Sequence, residues 1–160
     1  MQLNKIVSGG QTGVDRGALD AALAAGFPCG GWCPQGRAAE DGAIPGRYPL
    51  AEMPGAGYEE RTLQNVLDAE GTAILYLHEL EGGTRHTAER CVKRAKPHVL
   101  IDASVCAPEE AARDIEAFVV LNRVGTLNVA GPRASKWPGA HDYAYATVIQ
   151  LLKLTADKRR

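Results

Sequence analysis

The sequence predicts an α/β fold built on a mainly parallel central sheet of about five strands, and two observations carry that prediction. Strand-like and helix-like segments alternate almost from end to end of the 160 residues, which is the pattern of α/β architecture. Three apolar, strand-like runs also end in glycine-rich segments that lead into helices: Gly9-Gly10-Gln11-Thr12-Gly13, Gly82-Gly83-Thr84 and Gly131-Pro132-Arg133-Ala134-Ser135. With parallel strands, the three loops share one edge of the sheet, at the strand carboxyl ends, where open α/β sheets bind ligands.

The elements follow in order. Ile6 and Val7 begin a strand, and Ala18, Leu19, Ala22 and Leu23 recur at helical spacing until Gly26 stops the helix. Residues 29–33 read as a second, short strand weakened by its glycines. Residues 34–57 hold four prolines and five glycines in 24 residues and show no period. Excursions of that length are usually functional or disordered. Trp32, Arg37, Glu40, Asp41, Arg47 and Tyr48 give the segment or its edge chemical content. It reads either as an ordered flap over a site or as a surface excursion.

Leu63, Val66 and Leu67 place a helix over about 59–69, and residues 72–77 are apolar throughout, as a central parallel strand should be. Ala88, Cys91, Val92 and Ala95 form the next helical stripe, followed by a strand at 99–101. Pro108-Glu109-Glu110 opens a helix with proline and acids in its first turn. Residues 126–130 form the last strand, and Tyr145, Val148, Ile149 and Leu152 the stripe of the last helix. A single domain over 1–160 is expected.

Composition narrows the function. The chain is 45% hydrophobic and 23% charged, ordinary for a soluble globular protein. A net charge of −1 supplies no field toward nucleic acid or an anionic membrane. No apolar run approaches the ~20 residues that span a bilayer, and the N-terminus has no signal-peptide core. A cytoplasmic protein without membrane or nucleic-acid partners is expected. The four cysteines show no zinc or redox spacing, and His78, His86, His98 and His141 show no metal-ligand spacing. No metal site is expected.

The loops carry the chemistry. Gly9, Gly10, Gln11, Thr12 and Gly13 match neither GxGxxG nor a Walker A, yet they offer backbone donors and two polar side chains. Asp15 is placed to cap the following helix; the alternative is a ribose contact or acid–base work. Gly82, Gly83 and Thr84 form the best phosphate candidate, an anion nest at a helix start, with Thr87 one turn on. Arg133 supplies a cation near Ser135. Arg61 sits early in its helix, where a cation works against the helix dipole, so a ligand or a buried carboxylate is its expected partner.

Several stretches resemble one family: residues 9–22 (GGQTGVDRGALDAA), 31–42 (GWCPQGRAAEDG), 58–65 (YEERTLQN), Gly82-Gly83-Thr84 with Thr87, and 127–135 (LNVAGPRAS). They are similar to the bacterial proteins known as molybdenum carriers, also described as circularly permuted YpsA. That family sits within the superfamily joining the Smf/DprA proteins and the "lonely guy" (LOG) phosphoribohydrolases. The resemblance implies a Rossmann-like three-layer sandwich, a homo-oligomer, and a ligand at the glycine loops such as molybdenum cofactor (molybdopterin) or a nucleotide.

A LOG-type nucleotide N-glycosidase is the alternative the resemblance offers. The LOG pattern has an arginine on the helix before the central strand, matched by Arg61, and a Gly-Gly-x-Gly-Thr-x-x-Glu loop after it. Here one glycine is missing and Thr87 stands where the glutamate would be. Asp15, Glu40 or Asp41 would then have to serve the sugar, so a binding role is favoured over catalysis. Gln11 and the 34–57 flap, with Trp32 or Tyr48 stacking on a ring, are expected to cover the ligand. DNA binding, by analogy with DprA, ranks last.

Overall fold

A computed structural model describes residues 2–55 and 57–159. In chain order the elements are β1 (Lys5–Val7), α1 (Val14–Ala24), β2 (Cys29–Gly30), β3 (Trp32–Pro34), a 3-10 turn (Gln35–Arg37), β4 (Ala38–Ala39), β5 (Gly42–Ala43), β6 (Ala51–Met53), α2 (Tyr58–Asp68), β7 (Gly71–Tyr76), α3 (Gly82–Lys93), β8 (His98–Asp102), α4 (Pro108–Leu121), β9 (Thr126–Ala130) and α5 (Ala140–Asp157). Five strands make the main sheet, in the order β2-β1-β9-β7-β8, and every pairing in it is parallel.

Helices α1, α5 and α4 pack together in one layer, and α2 packs on α3 in another. Strand alternation explains the sandwich. On β9, Leu127 and Val129 join the core with Val14, Ala144 and Ile115, whereas Asn128 lies between them and donates to the Thr72 hydroxyl across the sheet at 3.4 Å.

The strand order locates the ligand edge. With β9 taken as the first strand and the chain continued through β1, β2, β7 and β8, the order reads 3-2-1-4-5, that of doubly wound sheets. Connections on the two sides of the β9–β7 pair then run in opposite senses, opening a crevice at the carboxyl ends of these two strands. The C-terminal end of α5 lies beside the start of β1, where the Arg159 guanidinium donates to the Leu3 carbonyl.

Two local expectations change. Residues 29–33 are not one strand: the chain breaks at Gly31, whose φ is +129°. β2 stays in the main sheet while β3 leaves to pair in parallel with β6. The 34–57 segment is organised without a hydrophobic period because one side chain templates it. The Arg37 guanidinium donates to the carbonyls of Ile44 at 3.0 Å, Pro45 at 2.8 Å, Tyr48 at 2.9 Å and Leu50 at 3.2 Å. Ile44 and Tyr48 then bury against Leu19 and Cys33 in a small core of their own.

That segment is pinned to α1 and α5 by a polar cluster. The Tyr48 hydroxyl donates to Asp20 at 2.8 Å, and His141 Nε2 meets the other Asp20 oxygen at 2.7 Å. Burial pulls the His141 pKa down, but its bonds to Asp20 and Asp142 outweigh burial and hold it above the usual value. A histidine pKa raised by folding stabilises fully below its unfolded value of about 6.5 and loses that contribution as pH rises through the folded value. His141→Gln should therefore cost stability at pH 6 and much less at pH 9. Urea unfolding at the two pH values checks this; an equal loss at both would remove the imidazolium from the account.

Candidate functional site

A cleft of about 630 Å³ opens at the carboxyl ends of β1, β7 and β9, between α2, the start of α3 and the loop after β9. The sheet order places it at the reversal point, and the three glycine loops meet around it. Gly9 and Gln11 of the first loop line it, as do Gly82, Gly83, Thr84 and Thr87 of the second and Arg133 of the third. Asp15 and Arg61 line it too. Gly10, Thr12, Gly13, Asp41 and Ser135 are not among its walls.

Asp15 and Arg61 sit together at the cleft. Asp15 does not cap α1, whose N-cap is Gly13. It sits in the first turn, and its carboxylate reaches back to accept the Gln11 N–H at 3.2 Å. Arg61 Nη1 stands 3.4 Å from the same oxygen. Burial pushes the Asp15 carboxyl above the usual carboxylate range, and Arg61 with the Gln11 and Gly9 N–H groups pulls it part of the way back. The guanidinium lies so close to Gly9 that a Cβ there would overlap it. Arg61 Nε is buried and has no hydrogen-bond partner among the described residues, a costly state for a charged donor.

The start of α3 supplies the opposite wall. Its N-cap, Glu81, makes no side-chain capping bond, so the first-turn N–H groups of Gly82, Gly83 and Thr84 precede the first intrahelical donor, Arg85. Space above Gly82 and Gly83 is open, with no atom within 4 Å of where a Cβ would stand. Thr84 does not cap the helix, and the Thr87 hydroxyl donates back to the Gly83 carbonyl at 3.0 Å. Arg90, one further turn along the same face, pairs with Glu59 at 3.8 Å.

The other loop donors are engaged within the chain. Gln11 Oε1 accepts the N–H groups of Thr12 at 3.1 Å and Glu40 at 2.9 Å. The Glu40 carboxylate takes the hydroxyls of Thr12 and Ser135, the Ser135 N–H at 3.1 Å, and Arg133 Nε at 3.5 Å. Asp41 forms a two-bond ion pair with Arg16 at 2.5 and 2.7 Å. The bonds from Ser135 and Thr12 to Glu40, and from Arg16 to Asp41, hold both carboxyls below the usual range.

The expected cover is corrected. No described residue of 34–57 lines the cleft; that segment packs over α1 instead. Tyr48 is buried with its hydroxyl on Asp20, and the Trp32 indole N–H donates to Asp68 at 2.7 Å. Neither ring faces the cleft. Tyr58, half exposed on α2, and Trp137 line it in their place.

Sequence reasoning missed Arg90, Lys136, Trp137 and Asn65 as cleft residues. Arg90 was within reach, since it continues the Gly83–Thr87 face of α3 at helical spacing. Asn65 closes the 58–65 stretch that carries the family resemblance, but neither periodicity nor a loop position marked it as a cleft residue. It is buried, and its amide bridges the N–H and carbonyl of Trp32 at 2.8 and 3.0 Å, a contact 33 residues away in sequence.

Comparison with known proteins gives a consistent outcome. The circularly permutated YpsA SLOG family matches residues 6–152. A crystal structure described as "Putative molybdenum carrier protein" from Syntrophus aciditrophicus SB is 42% identical, with a TM-score of 0.91. The match covers 94% of this chain and 95% of that one. A search of curated proteins found no match.

Proposed function

Because the chain belongs to the circularly permutated YpsA SLOG family, we propose that it is a carrier or binding protein whose cleft holds a small phosphorylated heterocycle. The observation that carries this reading is the buried, unpartnered Nε of Arg61 beside the open first turn of α3. A guanidinium edge and a row of helix N–H groups are complementary to phosphate oxygens. Arg61 lines the cleft, and a phosphate there would add acceptors beside a guanidinium that the described residues leave incompletely paired. Tyr58, whose ring already lies 5.9 Å from the Arg61 guanidinium carbon, would take the flat part of the ligand.

Two ligand classes suit these groups: a nucleotide, and molybdenum cofactor as cargo, in line with the name of the structural relative. In both, this chain's residues would hold the phosphate and the ring. The four free cysteines favour a reducing compartment such as the cytoplasm.

A thermal-shift panel with AMP, ADP-ribose, NAD and molybdopterin tests the reading. A ligand at 100-fold its dissociation constant adds about 2.7 kcal/mol, or roughly 5–10 °C for a domain of this size. A shift with the pterin alone favours the carrier form, and a shift with nucleotides alone replaces molybdenum cofactor as the cargo. No shift with any of the four sinks the proposal.

One observation favours a hydrolytic reading as the second choice. Asp15 is a buried carboxyl with a raised pKa inside the cleft, the property of a general acid. Loss of base release in Asp15→Asn with ligand affinity retained would support it, and retained turnover would take Asp15 out of the mechanism.

A further inference from the structure

We propose that the corner built by Thr12, Arg133 and Ser135 is a second anion subsite, that the chain's own Glu40 fills it, and that a phosphate group displaces Glu40 from it. The proposal shares with the functional reading only the premise that the ligand carries phosphate. It concerns a different set of donors from the Arg61 floor.

The donors around Glu40 are those a phosphate takes at a loop: a backbone N–H and a hydroxyl from Ser135, the Thr12 hydroxyl, and the Arg133 guanidinium. They come from the loops after β1 and β9, two strands paired directly in the sheet. β9 holds the first position of the doubly wound order, so its loop lies at the ligand edge. The donors are built into the scaffold, since Val14 N–H binds the Pro132 carbonyl at 3.2 Å and Ala134 N–H binds the Thr12 hydroxyl at 3.1 Å. A Cβ at Gly13 would strike the backbone of residues 132–134. The two loops therefore form one rigid receptor.

Glu40 is the exception, because it comes from elsewhere. It sits with Asp41 at the turn of the β4–β5 hairpin, and its side chain keeps 23% exposure. A partly wet carboxylate regains water when it leaves its donors, and an incoming phosphate brings more oxygens and more charge to those same donors. The exchange is linked to the cleft through two residues. Arg133 lines the cleft and pairs with Glu40, and Gln11 lines the cleft and accepts the Glu40 N–H at 2.9 Å. A ligand in the cleft whose phosphate takes Arg133 would compete for it with Glu40, and would free the hairpin tip as it binds.

Titration with inorganic phosphate tests this in the full chain, by calorimetry and by amide exchange at residues 38–43. Glu40→Ala is expected to bind phosphate at least tenfold more tightly than wild type, with Glu40→Gln in between because it keeps an acceptor oxygen but loses the charge. The gain should survive in Glu40→Ala/Arg61→Gln and vanish in Glu40→Ala/Arg133→Ala. In wild type, saturating phosphate should speed exchange at residues 38–43. The proposal is overturned if Glu40→Ala binds no more tightly than wild type, if the gain disappears with Arg61, or if exchange at the tip is unmoved at saturation. Failure of wild type to bind any phosphorylated heterocycle would sink the functional reading, yet the tenfold gain in Glu40→Ala would still report the corner.

Discussion

Arg61→Gln is expected to remove most of the affinity for phosphorylated ligands and to destabilise the protein in a pH-dependent way. A charge-assisted hydrogen bond contributes about 1.5–3 kcal/mol, so its loss should weaken binding by roughly ten- to a hundredfold. The stability effect arises because Asp15 is 6% exposed in its side chain and Arg61 12%. Breaking a buried pair by removing one partner costs about 3–5 kcal/mol, unless the orphaned group gives up its charge. Asp15 can do so by taking a proton.

Its pKa is already raised by burial and restrained by Arg61, so removing Arg61 raises it further. A carboxyl whose folded pKa lies above its unfolded value makes the folded state lose stability as pH rises through that interval. The deficit of Arg61→Gln against wild type should therefore be small at pH 5 and larger at pH 8. Denaturant unfolding at both values reads the stability, and ligand titration reads the affinity. Gly9→Ala tests the position of the guanidinium with its charge retained. The added Cβ would stand where Arg61 Nη1 lies, the nitrogen that pairs with Asp15. Affinity should fall, and stability should fall with the same pH dependence as in Arg61→Gln; undiminished binding would show that the position of the guanidinium does not matter.

Gly31→Ala should damage the fold severely. Gly31 has φ +129°, and a Cβ there would collide with the Ser8 carbonyl and N–H, which are backbone atoms that cannot rotate away. Strained backbone costs on the order of 1–3 kcal/mol, and overpacking adds about 1–3 kcal/mol. A combined loss of about 2–6 kcal/mol is a large share of the roughly 5–15 kcal/mol typical of a domain. Gly26→Ala is the control, because its φ is +63° but nothing stands within 4 Å of the added carbon. It should lose only about 1–2 kcal/mol. Urea midpoints for the pair check this, and a Gly31→Ala protein no less stable than Gly26→Ala would refute the clash argument.

The fold was readable because its signals are local. The apolar run of β7, the helical stripes of α1 and α4 and the proline–acid opening of α4 each depend on residues within one or two turns. The site was readable only in part. Glycine loops at strand ends led to Gly9, Gly82, Gly83 and Arg133, and a cation misplaced against the dipole of its helix led to Arg61, whose neighbour proved to be the Asp15 carboxylate. Residues 34–57 resisted because they have no period: four carbonyls gathered by Arg37 shape the segment, and that geometry exists only once the chain has turned back on itself.

Side-chain periodicity and glycine placement act over a few residues, so the order of amino acids alone dictates an α/β chain with a parallel sheet and three glycine loops. Which donors around the cleft lack a partner and which are already occupied depends on contacts made only in the folded chain. The Arg61 Nε is left without a partner by the described residues around it, whereas Thr12 and Ser135 are taken by a carboxylate 28 and 95 residues away. Trp32 and Tyr48 likewise meet Asp68 and Asp20 across the fold instead of a ligand. A hydrogen-bonding group accepts whichever partner folding brings within about 3 Å, and at such sequence separations no local pattern records which partner that will be.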